Sequence, residues 1–123
     1  MARILVVHHD LTQIIFFKNV LTQQGFKVVC ACDYAAAVDA VQQTRIQLAF
    51  FSGWLTGITG IDLAHTLRTL DPTLPLVVLL SLFDLHRGRL DALNVKSIIR
   101  PFSANKIIRT VKMYIRPDVD AQA

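Results

Sequence analysis

Residues 46–70 read IQLAFFSGWLTGITGIDLAHTLRTL, and the fold turns on this stretch. Its opening is a largely apolar block of strand length, which predicts a strand over 46–51 buried on both faces. Glycines at 53, 57 and 60 then mark a loop. An amphipathic stretch follows and predicts a helix ending near Leu70, where Asp71-Pro72 stops it.

The same strand-then-helix unit recurs on both sides of this stretch. Upstream, residues 3–7 predict a first strand, Asp10 an N-cap with Gln13 three positions on, and Gly25 the close of the first helix. Residues 26–31 predict a second strand, with Asp33 capping the alanine-rich helix that runs to Gln43. Downstream, residues 76–80 predict the fourth strand, about 84–93 a helix, and 95–99 a short fifth strand. Ser103 then caps a last helix whose buried stripe is Ile107, Ile108, Val111 and Ile115. Five such units without a linker predict a single α/β domain over residues 1–116, a (βα)5 doubly wound parallel sheet, with a C-terminal tail at 117–123.

Composition agrees with one packed domain: of 123 residues, 53% are hydrophobic and 18% charged, enough apolar side chain for a single core. No apolar run has the length of a membrane span and the N-terminus lacks a secretory pattern, so the expectation is a cytoplasmic protein without membrane contact. Cys30 and Cys32 are two residues apart on a predicted strand. That spacing strains a disulfide, and they read as reduced core thiols. The net charge of +4 favours acidic partners but falls short of a nucleic-acid-binding composition.

In an open parallel sheet, ligands and chemistry gather beyond the carboxyl ends of the strands. The residues there are His8, His9 and Asp10; Ser52, Gly53 and Trp54; Leu80 and Ser81; Arg100 and Pro101. The layout ILVV-x-x-D, LAFFSGWLTGITGIDLAHTLR, LPLVVLLS and SIIRPF resembles the response-regulator receiver domain of two-component signalling over nearly the whole chain. The resemblance implies a flavodoxin-like sheet of order 2-1-3-4-5. Pro101, Phe102, Gly57, Gly60 and Leu67-Arg68 match the family directly. Its metal-binding acidic pair falls on His8 and His9, its phosphoacceptor aspartate on Ser52, its Thr or Ser on Leu80, its Lys on Arg100, and its aromatic switch residue on Ser97.

The substitutions have chemical consequences. Magnesium prefers carboxylate and water oxygens, and imidazole serves it poorly. Serine cannot form an acyl phosphate, and Leu80 has no hydroxyl for a phosphoryl oxygen. The implied domain is therefore a degenerate receiver, or pseudo-receiver, with no catalytic residues and no cofactor, working through protein contacts independently of phosphorylation. Two other readings stand beside it. One is a metal- or small-ligand-sensing domain using the His8, His9 and Asp10 mouth, whose donors suit zinc or a related ion, although adjacent strand residues point to opposite faces; the other is an unusual receiver still phosphorylated at or near Ser52. As a nucleophile elbow Ser52 fails, since Phe50 and Trp54 hold the positions that need glycine. Arg100 can turn outward, pair with Asp10 or bind an anion. Trp54, Leu55, Leu80, Leu82 and Phe83 are an apolar set around the former phosphate cleft, either an interaction patch or loops closing over it.

In receivers, the fourth helix, fifth strand and fifth helix form the common dimer and partner surface. Carried over, that makes Arg87, Arg89, Lys96, Ser97, Lys106, Arg109 and Lys112 the candidate docking face for an acidic protein or a second copy. No recognition-helix motif accompanies it, which argues against direct nucleic-acid binding.

Overall fold

The computed structural model describes residues 2–55, 58–80, 95–99 and 102–115, with backbone alone at 54, 55, 58–60 and 99. In chain order the elements are β1 Arg3–Val7, α1 Leu11–Gln23, β2 Lys27–Ala31, α2 Tyr34–Gln43, β3 Leu48–Ser52, β4 Trp54–Leu55, β5 Ile58–Thr59, α3 Gly60–Leu70, β6 Leu76–Leu80, β7 Val95–Ile99 and α4 Ala104–Tyr114. Five strands form one sheet in the order β2-β1-β3-β6-β7, every pair parallel. Counting those five alone gives 2-1-3-4-5. The numbering differs because a two-residue antiparallel hairpin, β4–β5, stands where the sequence predicts only loop.

The central strands are buried on both faces, as continuous apolar runs require: every residue of β3 and β6 is buried. Side-chain alternation divides the core in two. Leu5, Val7, Ala49, Phe51, Val78 and Leu80 pack with Leu63 and Leu67 of α3 on one face. Ile4, Val6, Leu48, Phe50, Val77 and Leu79 pack with Phe17 and Leu21 of α1 and Ile107 and Val111 of α4 on the other. Phe17 lies 5.5 Å from Phe50 and 6.0 Å from Phe102, ring centre to ring centre. Each such fully buried large side chain contributes roughly 1.5–3 kcal/mol relative to exposure.

Local signals set the helix ends. Asp33 accepts the Ala36 N–H at 2.8 Å and Ser103 the Lys106 N–H at 3.2 Å. Helix α1 closes with Gly25 N–H donating to Thr22 O at 3.0 Å and Phe26 N–H to Leu21 O at 3.2 Å, the paired bonds of a Schellman stop. Gly25 takes φ +90° to make this turn. The Asp10 cap forms differently from the expected box: its Oδ1 accepts from Thr12 N–H at 2.9 Å, while the Gln13 N–H goes to the Asp10 carbonyl at 3.1 Å.

Strand starts move slightly, to Lys27 for β2 and Leu48 for β3, whereas β6 and β7 begin and end as predicted. Ile108 is half-buried rather than buried, at the margin of the stripe of Ile107, Val111 and Ile115. Cys30 and Cys32 are free, as expected, but exposed. They are not core thiols, because β2 is an edge strand and Cys32 lies past its end. The helix predicted at about 84–93 and the tail at 117–123 lie outside the described residues. Among the described residues no helix is long and apolar enough to cross a membrane.

Candidate functional site

The strand register defines the mouth of the sheet. Val7 stands opposite Phe51, Ser52 opposite Leu79, and Leu80 opposite Ile99, so β1, β3, β6 and β7 end side by side. The residues following β1 are His8, His9 and Asp10.

His8 is buried at 3% exposure and His9 is exposed. Their rings do not diverge as strand geometry predicts. They stack, with centroids 4.9 Å apart and planes 26° apart, because the chain has left β1 at this point. The His8 N–H donates to Ala31 O at 3.1 Å, and its ring Nδ1 accepts the Asp10 N–H at 2.9 Å. The bond uses the Nδ1 lone pair, which leaves Nε2 as the ring's donor. This bond joins β1 to the start of α1, and nothing in the residue pattern beyond the side-chain type signals it.

Among the described residues, the Asp10 and Asp33 carboxylates serve the backbone: Asp10 caps α1 and Asp33 caps α2. Among the described residues no group of three His, Cys, Asp or Glu is placed to hold a metal ion. His65 is exposed on α3. Ser52 is 6% exposed, at the last position of β3, and the next residue, Gly53, donates its N–H to Leu79 O at 3.0 Å. Leu80 turns into the core on the α3 face, packed with Leu63 and Phe51. Ser81, Arg100, Pro101, Leu82, Phe83 and His86 lie outside the described residues, as do the side chains of Trp54 and Leu55.

At the β7 edge, Lys96 is exposed and Ser97 half-buried, and on α4 Lys106, Arg109 and Lys112 are all exposed. These five occupy two consecutive elements at one side of the sheet, while Arg87 and Arg89 lie outside the described residues. Among the described residues, Leu11 at 64% and Ile15 at 50% exposure stand one helical turn apart at the start of α1 beside the mouth. The i, i+4 spacing could have revealed the pair, but the run LTQIIFF contains more apolar residues than one face can bury.

Two further contacts support the site's frame. Tyr34 of α2 and Thr66 of α3 share a hydroxyl hydrogen bond of 2.6 Å. The Arg68 guanidinium donates to Pro72 O at 3.0 Å and Leu74 O at 2.6 Å, tying the end of α3 to the turn before β6. Leu67 beside it is fully buried, so the Leu67-Arg68 pair joins a core contact to a turn clamp. A basic residue at a helix end is the signal for such carbonyl binding.

Comparison with known proteins places this arrangement. Residues 4–112 match the response regulator receiver domain. The chain is 30% identical to the DNA-binding response regulator MtrA of Mycobacterium tuberculosis, over 98% of this chain and 54% of that protein. It is 26% identical to the probable transcriptional regulatory protein TcrX of the same species, over 78% of this chain and 42% of that one. The chain thus spans about half the length, or less, of the curated relatives it matches. Among solved structures, a CheY-like receiver domain protein from Methanospirillum hungatei superposes with a TM-score of 0.88 at 18% identity, covering 99% of this chain and 98% of that one. The chemotaxis protein CheY4 of Vibrio cholerae gives 0.85 at 18% identity, over 94% and 99%. The family match over most of the length, the curated relatives, and the parallel sheet with its order agree: this chain belongs to the response regulator receiver domain family.

Proposed function

We propose that this chain is an atypical receiver that acts in a two-component or phosphorelay-type pathway through phosphorylation-independent contact with a protein partner. The observation carrying this reading is the use made of the polar groups at the mouth. His8 Nδ1 is occupied by the Asp10 N–H, the Asp10 and Asp33 carboxylates cap helices, and a buried serine ends β3 where the family carries its phosphoacceptor. A hard divalent cation needs several oxygen ligands, and these groups supply structure instead. The chain is not an enzyme in this reading and requires no cofactor.

The docking face is the β7 and α4 side, where Lys96, Ser97, Lys106, Arg109 and Lys112 present a basic surface to an acidic protein; Arg87 and Arg89 belong to the same proposal. A homodimer through this face is the alternative arrangement. Leu11 and Ile15 offer an apolar anchor beside the mouth, the kind of exposed pair that marks contact surfaces. The test is intact-mass measurement after incubation with magnesium and a small-molecule phosphodonor. The chain is expected to gain no phosphoryl group, whereas an adduct mapped to Ser52 overturns the reading.

A further inference from the structure

The sheet has two edges, and the proposed partner face uses only the β7 edge. The other is β2. In a parallel pair, alternate residues bond the neighbouring strand while those between them point their N–H and C=O the opposite way. Lys27 N–H donates to Ala2 O at 3.0 Å, and Ala31 O accepts from His8 N–H at 3.1 Å. Lys27, Val29 and Ala31 are therefore turned toward β1, and Val28 and Cys30 hold out their backbone donors and acceptors at the open edge.

A groove of about 460 Å3 borders the first half of this edge, with Arg3, Lys18 and Lys27 as its charged groups and Phe26, Val28 and Val29 among its apolar ones. No acidic side chain lines it. Val28 and Val29 are half-buried, and Lys27 and Cys30 are exposed. Three features thus coincide: backbone groups turned outward, apolar side chains at Phe26, Val28 and Val29, and three positive charges with no acid among the lining residues.

We propose that this groove takes an acidic extended peptide segment, which adds a strand to β2 through the backbone of Val28 and Cys30 and sets its carboxylates against Arg3, Lys18 and Lys27. Strand addition derives affinity from main-chain hydrogen bonds and selectivity from alternate side chains. Charge decides the occupant. Pairing β2 with β2 of a second copy brings two sets of three cations into one interface with no acid in the groove to offset them, and juxtaposed like charges are destabilising. An acidic segment meets complementary charge. This surface lies at the opposite edge of the sheet from the β7 and α4 face and does not depend on it.

The experiment uses the full chain and a fluorescent peptide alternating valine with glutamate. Two further versions carry N-methyl groups on one or the other set of alternate amides. Only one set of amides can face β2, so one version is expected to bind at least about tenfold more weakly, a loss of ~1.4 kcal/mol, and the other nearly as well as the parent. Lys18→Glu and Lys27→Glu, both at the surface, should weaken binding by a similar factor without altering the fold, and the amide signals of Val28 and Cys30 should shift and exchange more slowly. Absence of saturable binding, equal effects of the two N-methylated versions, or shifts confined to β7 and α4 would overturn the proposal. So would a dimer that protects Val28 and Cys30 without peptide, since the edge would then belong to a second copy.

Discussion

The ring of His8 and the backbone of Asp10 form a closed link, with Nδ1 accepting the Asp10 N–H at 2.9 Å in a site where His8 is 3% exposed. The Nδ1 lone pair is already engaged, and the link joins the end of β1 to the start of α1. His8→Ala should therefore lower stability by about 1–3 kcal/mol, the cost of lost packing at a buried site together with a partly buried donor left without its partner. His8→Asn, which retains an acceptor, should recover part of the loss. Urea unfolding of the three proteins measures both effects.

Arg68 clamps the turn between α3 and β6 through the carbonyls of Pro72 and Leu74. Arg68→Met keeps the aliphatic stem and removes both bonds, and should cost about 1–3 kcal/mol. Amide shifts should concentrate at residues 72–76 rather than at the mouth, which a two-dimensional NMR spectrum reads directly.

Gly25 closes α1 at φ +90°, and a methyl group added there meets no atom within 4 Å. Space is not the obstacle; the left-handed backbone is. Gly25→Ala should destabilise by about 1–2 kcal/mol, the penalty for an L side chain in that region, and thermal unfolding should show the fall without loss of the native spectrum.

Burial pushes the Cys30 thiol above its ordinary value, against a smaller opposing influence of the Lys18 charge. A raised folded value means that the stabilising term is fully present below the ordinary thiol range and is lost as pH climbs through it toward the folded value. Tyr114, also raised by burial, extends the loss to higher pH. Stability should thus decline under alkaline conditions, modestly because both groups are exposed. Cys30→Ser should flatten the lower part of the decline in a series of unfolding midpoints against pH.

Much of the fold is legible in residues 46–70 and their repeats, because a parallel strand buried on both faces has to be a continuous apolar run. The boundaries of β6 and β7 and the Asp33 and Ser103 caps are fixed by local chemistry and fall where the sequence places them. The misreadings share a cause, which is that tertiary position overrides local pattern. Cys30 has the spacing of a core residue, but β2 lies at the edge. His8 and His9 have the alternation of a strand, but the strand ends at Val7 and the rings stack. The link from Asp10 to His8 and the clamp from Arg68 to Leu74 depend on where the chain turns back, which residue spacing does not encode. The positions of His8, Ser52 and Leu80 at adjacent strand ends follow from the sheet order, and that order came from the family resemblance.

The measurement closest to the central claim is an amide NMR titration of the chain with magnesium and beryllofluoride, a mimic of the phosphorylated state, read at Gly53, Leu80 and along α4. These signals are expected to stay in place at every concentration. Saturable shifts at the mouth that spread to Lys106, Arg109 and Lys112 would contradict that claim, because the strand ends would then bind a phosphoryl-like anion and transmit that binding to the docking face.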